Sequence, residues 1–259
     1  MLDVREIGGI FLTGTVFKRI GAYILDILIV SMITTVLANF SFLNPNKDAY
    51  SEKYNELVNV FEQYEASEIS EQEYNEAAIP ISYELYRLNI PTVLVDIVCI
   101  LLYFGVLSYF MKGQTIGKKL FQIRIVSAND KPVSLVQYLL RATVLGNVLI
   151  SIASILIITL MNADNFYIVY ENVNLVGYII MYITLFMVLV RKDNRGLHDF
   201  VANTKVVLTE EEMKERLAKI EEEQAVLEKE LEVKPKTKEK TVTAKTTKVK
   251  KKNNKKTGA

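Results

Sequence analysis

The feature that most constrains this chain is an apolar segment with charge built into it. Lys18-Arg19-Ile20-Gly21-Ala22-Tyr23-Ile24-Leu25-Asp26 runs on through Ile27-Leu28-Ile29-Val30 and stays apolar to about Leu43. A helix over about 20–43 is long enough to cross a ~30 Å hydrocarbon core at ~1.5 Å per residue. Asp26 lies inside it, where a carboxylate costs roughly 2.5–3.5 kcal/mol on insertion scales and therefore faces protein or water. Arg19, Ala22, Tyr23 and Asp26 share one helical face. Two readings follow: a functional polar site near one membrane surface, or a helix-packing pair that sets orientation.

The segregation continues along the chain. Half of the residues are hydrophobic while 24% are charged, a combination that requires apolar spans separated by polar loops. Further apolar runs cover about 91–111, 142–161 and 175–190. The expected fold class is therefore an all-α membrane protein, a four-helix transmembrane bundle with a small β element and a basic C-terminal tail. The first span is expected to be retained. Val36-Leu37-Ala38 suits a signal peptidase, but the run before it exceeds a 7–15-residue h-region and holds Asp26. Pro91 suits the first turn of the second span, which carries Asp96. In the third span Thr143, Asn147, Ser151 and Ser154 fall on one face, the pattern of close helix approach or of a solute pathway.

Loop charge sets the expected topology. The insertion 44–89 carries Glu52, Glu56, Glu62, Glu65 and further acids against Lys47, Lys53 and Arg87 alone. It reads as two short amphipathic helices interrupted near Pro80, with a capping box at Ser70–Glu73. The connection 112–141 is basic, as is Arg191-Lys192 after the fourth span, whereas 162–174 has no Lys or Arg. Four spans with both termini cytoplasmic satisfy every loop. Within the basic connection, Phe121–Val126 alternates as a strand, and Thr204–Leu208 is a second strand able to pair with it. Ser134 caps a short helix leading into the third span.

Beyond the membrane domain (1–208), Met213, Leu217, Ile220, Gln224, Leu227 and Leu231 form a heptad stripe in a charged helix over 209–233, enough for a short coiled coil. Residues 234–259 are dominated by lysine and are expected to be disordered. Such a tail attracts anionic lipid or RNA electrostatically, or serves only as a solubilising extension.

Enzymatic chemistry has little to work with. Gly113–Lys119 lacks the spacing of a phosphate loop, and His198-Asp199 has no nucleophile in sequence reach. One histidine and one cysteine, Cys99, cannot build a zinc site or an intrachain disulfide. Neither a metal nor a cofactor is expected.

Three separated motifs coincide: Arg19-x-x-Ala22-x-x-x-Asp26, Gly113-Gln114-Thr115-Ile116-Gly117-Lys118-Lys119 ahead of Ile123–Val126, and Arg195-Gly196-Leu197-His198-Asp199 ahead of Val206-Val207. Together they resemble the RDD family of bacterial membrane proteins. The resemblance carries the family's arginine to Arg19 and its aspartates to Asp26 and Asp199. It covers about 17–208 apart from the acidic insertion. Gln122 departs from it, because the family often has glycine before the strand. Some members are similar to proteins linked to sodium or proton antiport.

Counting residues along the first and third spans puts Asp26 and Asn147 at similar depth, with Gly146 allowing the helices to approach. The expectation is one cluster of Arg19, Asp26, Arg141, Asn147 and Asp199, with Asp199 pairing to one of the two arginines and Asp96 too distant to join. Two functions are open. The first is a transport-related protein exchanging a cation for protons at Asp26, which in a four-span chain implies a homo-oligomer. The second is a non-transporting scaffold that holds a coiled coil and basic tail at the bilayer.

Overall fold

The computed structural model describes residues 4–129 and 131–233; the lysine-rich stretch expected to be disordered lies outside the described residues. Among the described residues, three helices are long and apolar enough to cross a membrane. They cover Val16–Leu37, Ile90–Phe110 and Asn165–Val190, with a bent pair as a further candidate.

Helix α1 (Val4–Leu37) buries Arg19, Ala22, Asp26, Val30 and Thr34. Their three- and four-residue spacing makes one stripe facing the bundle. Ile24, Leu28 and Met32 on the other face are exposed, as lipid-facing side chains would be. The helix ends at Leu37 and the chain turns through 38–43, so the span is shifted towards the N-terminus from the expected 20–43.

The acidic insertion folds into α2 (Lys47–Glu65) and α3 (Glu71–Leu88). The break between them falls at 66–70 and not at Pro80. Ser67 takes a left-handed φ of 58° there, and Ser70 with Glu73 forms the expected capping box. Pro80 sits inside a continuous α3, a position that removes one backbone donor without ending the helix. Tyr83 donates from its hydroxyl to the carbonyls of Ile158 (3.2 Å) and Met161 (2.6 Å).

The second span is α4 (Ile90–Ile100), a π-helical turn (Leu101–Leu107) and α5 (Ser108–Phe110). Pro91 occupies its first turn. The chain then passes through α6 (Ile116–Leu120) into β1 (Ile123–Ser127). The third apolar run is two helices, α7 (Leu135–Leu145) and α8 (Val148–Leu160), bent by 60°. Asn147 makes the bend with a left-handed φ of 51°, a conformation that Asn tolerates better than most residues. The pair joins the two ends of the bundle. Gln137 near its start donates to the Ala202 carbonyl (2.8 Å), and its other end meets Tyr83 of the insertion. Helix α9 (Ala163–Val190) begins earlier than the expected 175.

After α9 come α10 (Leu197–Val201) and β2 (Thr204–Leu208). Strands β1 and β2 pair antiparallel, with Ile123 opposite Leu208 and Ile125 opposite Val206. The inner face of this ribbon, Ile123, Ile125, Val206 and Leu208, packs with Ala22 of α1 and Tyr138 of α7. A second core inside the bundle gathers Val30, Ile97, Ile100, Phe104, Ala142 and Val148. Gln122, at the position where glycine was expected, adopts φ 55° and makes the turn regardless.

The described chain divides into two compact units, the first ending at Thr209. The second begins with α11 (Glu210–Val233), on which Met213 and Leu217 are exposed.

Candidate functional site

Two carboxylates, Asp26 and Asp199, are completely buried. Each must be satisfied by donors brought from elsewhere, because a lone buried charge is prohibitively costly.

Asp199 stands in the first turn of α10, where its Oδ2 accepts from the Gly196 N–H at 3.1 Å. Arg19 from α1 and Arg141 from α7 each donate to one of its oxygens. Thr204 Oγ1 lies 3.3 Å from Oδ1 and His198 Nε2 lies 3.3 Å from Oδ2. Arg19 also donates to the Asn194 carbonyl, while Asn194 Nδ2 caps the last turn of α9 through the Val188 carbonyl (2.8 Å). Arg195 Nε reaches the Thr204 carbonyl at 2.8 Å. The segment after the last span is thereby fastened to α1 and α7.

The electrostatics agree with that geometry. Burial alone would raise the Asp199 carboxyl, but Arg141, His198 and Arg19 hold it well below the usual carboxylate range. Burial pushes His198 down to about 4, Arg141 lowers it further, and its bond to Asp199 opposes both. The histidine is neutral at physiological pH.

Asp26 has a different partner set. Its Oδ1 accepts from the Tyr103 hydroxyl (2.7 Å) and the Gly117 N–H (2.8 Å). Its Oδ2 accepts from Thr115 Oγ1 (2.5 Å) and faces Lys118 Nζ at 3.4 Å. Thr115 also caps α6 by accepting from the Lys118 N–H, so the Thr-x-Gly-Lys turn is wrapped around this carboxylate. Gly117 is required by closeness: a Cβ there would lie 2.7 Å from Asp26 Oδ1 and against the Ala22 carbonyl. Lys118 is lowered to about 8 by burial, against the opposing pull of Asp26, with Arg141 and Arg19 lowering it further.

The expected five-residue cluster therefore separates. Arg19, Arg141 and Asp199 come together, and Asp199 takes both arginines. Asp26 bonds to none of them, and its partners come from the second span and the basic connection. Asn147 does not meet Asp26 either; its Nδ2 points to the Gly177 carbonyl at 3.4 Å. Gly146 admits Ile100 of α4 and not α1, since a Cβ there would lie 2.5 Å from Ile100 Cγ2. Depth counting assumed a straight third span, and the bend at Asn147 removes that assumption. Asp96 is apart from both sites, accepting from Thr34 Oγ1 at 3.0 Å. Among the described residues no group of His, Cys, Asp and Glu could hold a metal ion.

Sequence reasoning missed Tyr103, Asn194 and Thr204. Tyr103 lies in an apolar run where nothing sets it apart from the neighbouring aromatics. Nothing in composition marks the π-helical turn that carries it. Thr204 carries only a strand signal in the sequence.

Apolar helices of crossing length, joined to buried charge pairs at one end, define a membrane protein. The chain matches the RDD family over residues 13–203, more than half of its length, and it belongs to that family. No curated protein and no solved structure matches it.

Proposed function

We propose that this RDD protein is a non-transporting, non-enzymatic membrane anchor that holds α11 and the basic tail at the cytoplasmic face of a bacterial membrane. The observation that carries this reading is the closure of Asp26. Both oxygens are engaged by four donors from two other segments of the chain, the second span and the turn 115–118, and the residue has no exposed surface. A carboxylate that exchanges ions needs a free coordination position and a path to water; this one serves as a fastening point. The Asp199 node does the same for the segment after α9.

The reading includes four crossings, with α7 and α8 together as the third. It is supported by the contacts of that pair with Ala202 at one end and with Tyr83 at the other. The sheet end is taken as cytoplasmic because Lys112, Lys119, Arg124 and Lys192 accumulate there, while the insertion is acidic. Both termini are then inside, and the tail meets anionic lipid, RNA or a protein partner.

The test is flux through purified full-length protein in liposomes under sodium or proton gradients. Flux no greater than in empty vesicles is expected. Gradient-driven exchange abolished by Asp26→Asn would overturn the anchor reading.

A further inference from the structure

A cavity of about 260 Å³ lies between α1, α7 and α9 beside the two nodes. Its polar lining is cationic: Arg19, Lys118 and Arg141, with His198 and Asn147. These three cations are balanced by only two buried carboxylates, Asp26 and Asp199, so the pocket carries one buried positive charge in excess.

The donors are also underused. A guanidinium has five N–H groups. Arg141 spends one terminal nitrogen on Asp199 and Thr204, and its Nε and other terminal nitrogen have no acceptor among the described residues. Arg19 uses both terminal nitrogens, on Asn194 and Asp199, and its Nε is likewise without an acceptor there. Lys118 has two oxygen acceptors, Thr115 Oγ1 at 3.1 Å and Asp26 Oδ2 at 3.4 Å, and its ammonium also lies over the Phe104 ring, 5.4 Å from the centroid. His198 Nδ1 is buried without a hydrogen-bond partner. A buried polar atom without a partner is rare in native proteins and asks for an explanation, and here it stands beside cationic N–H groups that face the cavity.

The rest of the wall is apolar. Ile20 and Tyr23 of α1, Leu145 of α7, and Met181, Leu185 and Val188 of α9 line it. A free inorganic anion would match the cations but leave this wall bare. The volume is below the ~300–1,000 Å³ of a site for a drug-sized molecule, enough for a head group and the start of a chain.

We propose that this cavity binds the head of an anionic phospholipid, with its phosphate against Arg141 and Lys118 and its acyl chain leaving along Tyr23, Leu145 and Leu185. Guanidinium groups suit phosphate oxygens through paired N–H donors. The unpartnered His198 Nδ1, neutral and bonded to Asp199 through Nε2, can accept from a head-group hydroxyl. The site is independent of the anchor reading, because it concerns an internal cavity and not the tail.

The test is thermal unfolding of the full chain in a neutral detergent at high salt, where attraction of exposed lysines is screened. Phosphatidylglycerol, phosphatidylcholine and inorganic phosphate are added separately. Phosphatidylglycerol should raise Tm, and the other two should not. Thr184 of α9 also lines the cavity, and Thr184→Phe plugs it without removing a charged group. It should keep its own Tm and lose the phosphatidylglycerol shift, while Thr184→Ser keeps the shift. Met181→Trp is a second plug one turn away. Equal shifts with phosphatidylcholine would mean a non-selective lipid shell. An equal shift with phosphate alone would mean a bare anion site. A full shift retained in a folded plug variant would place the lipid elsewhere. Any of these three results overturns the proposal.

Discussion

Asp26 and Asp199 are equally buried, yet they are satisfied by different means. Asp199 is held between two guanidinium groups, with a hydroxyl, an imidazole and one amide completing its shell. Asp26 is held mainly by neutral donors, a tyrosine, a threonine and a backbone amide, with one lysine at longer range. The first is a charge node whose partners come from opposite ends of the sequence. The second is a hydrogen-bond node that fixes a local turn against a helix. Removing charge should therefore damage the first more, and removing a single hydroxyl should be felt mainly at the second.

The largest effect should come from Asp199→Asn. Two buried arginines lose their shared anion, and breaking such a pair costs about 3–5 kcal/mol. Denaturation in detergent should show that loss. A change below ~1 kcal/mol would mean the arginines are compensated elsewhere.

His198 sharpens the same node through pH. Its folded pKa of about 4 lies below the ordinary 6.5, so the unfolded chain binds the proton more readily between those values. Stability contributed by the neutral ring is full above pH 6.5 and falls as pH drops towards 4, by roughly 3 kcal/mol at most. Asp199 titrates below that window. His198→Gln should flatten this limb of the stability profile. An unchanged limb would remove the histidine from the node.

Tyr103→Phe tests the other node. It deletes one of four contacts to a carboxylate and should cost roughly 1.5–3 kcal/mol, with Lys118 still in place. A neutral result would show that the hydroxyl bond contributes nothing net.

The smallest effect concerns the turn that enters β1. Gln122 holds a left-handed φ that costs an L-residue about 1 kcal/mol or more, and glycine adopts it freely. Gln122→Gly should raise stability by about 1 kcal/mol or less, after the entropy cost of glycine is subtracted. A loss would mean the Gln122 side chain contributes packing that offsets the strain.

Much of this architecture was legible before the coordinates. Apolar runs located the crossing helices, alternation located both strands, and the place of Asp199 just after the last span put it beside Arg19 or Arg141. What escaped was what depends on backbone detail. The left-handed Asn147 bends the third run and carries Asn147 away from Asp26. The π-helical turn presents Tyr103, and no residue pattern signals an i→i+5 register. Pro80 looked like a break because proline usually is one, yet α3 tolerates it. The donors around Asp26 were present in the Thr115-Ile116-Gly117-Lys118 motif. Their target was hidden because a short loop that folds back onto a helix leaves no periodic trace.

The central claim is that Asp26 is a closed fastening point and not an ion-handling group. A hydrophobic carbodiimide reacts with protonated, accessible membrane carboxyls, and mass spectrometry locates the adduct. With both oxygens held by donors and no exposed surface, Asp26 should remain unmodified in the folded protein, and sodium should change nothing. Modification at Asp26 that added sodium suppresses would contradict the account and return the residue to ion exchange.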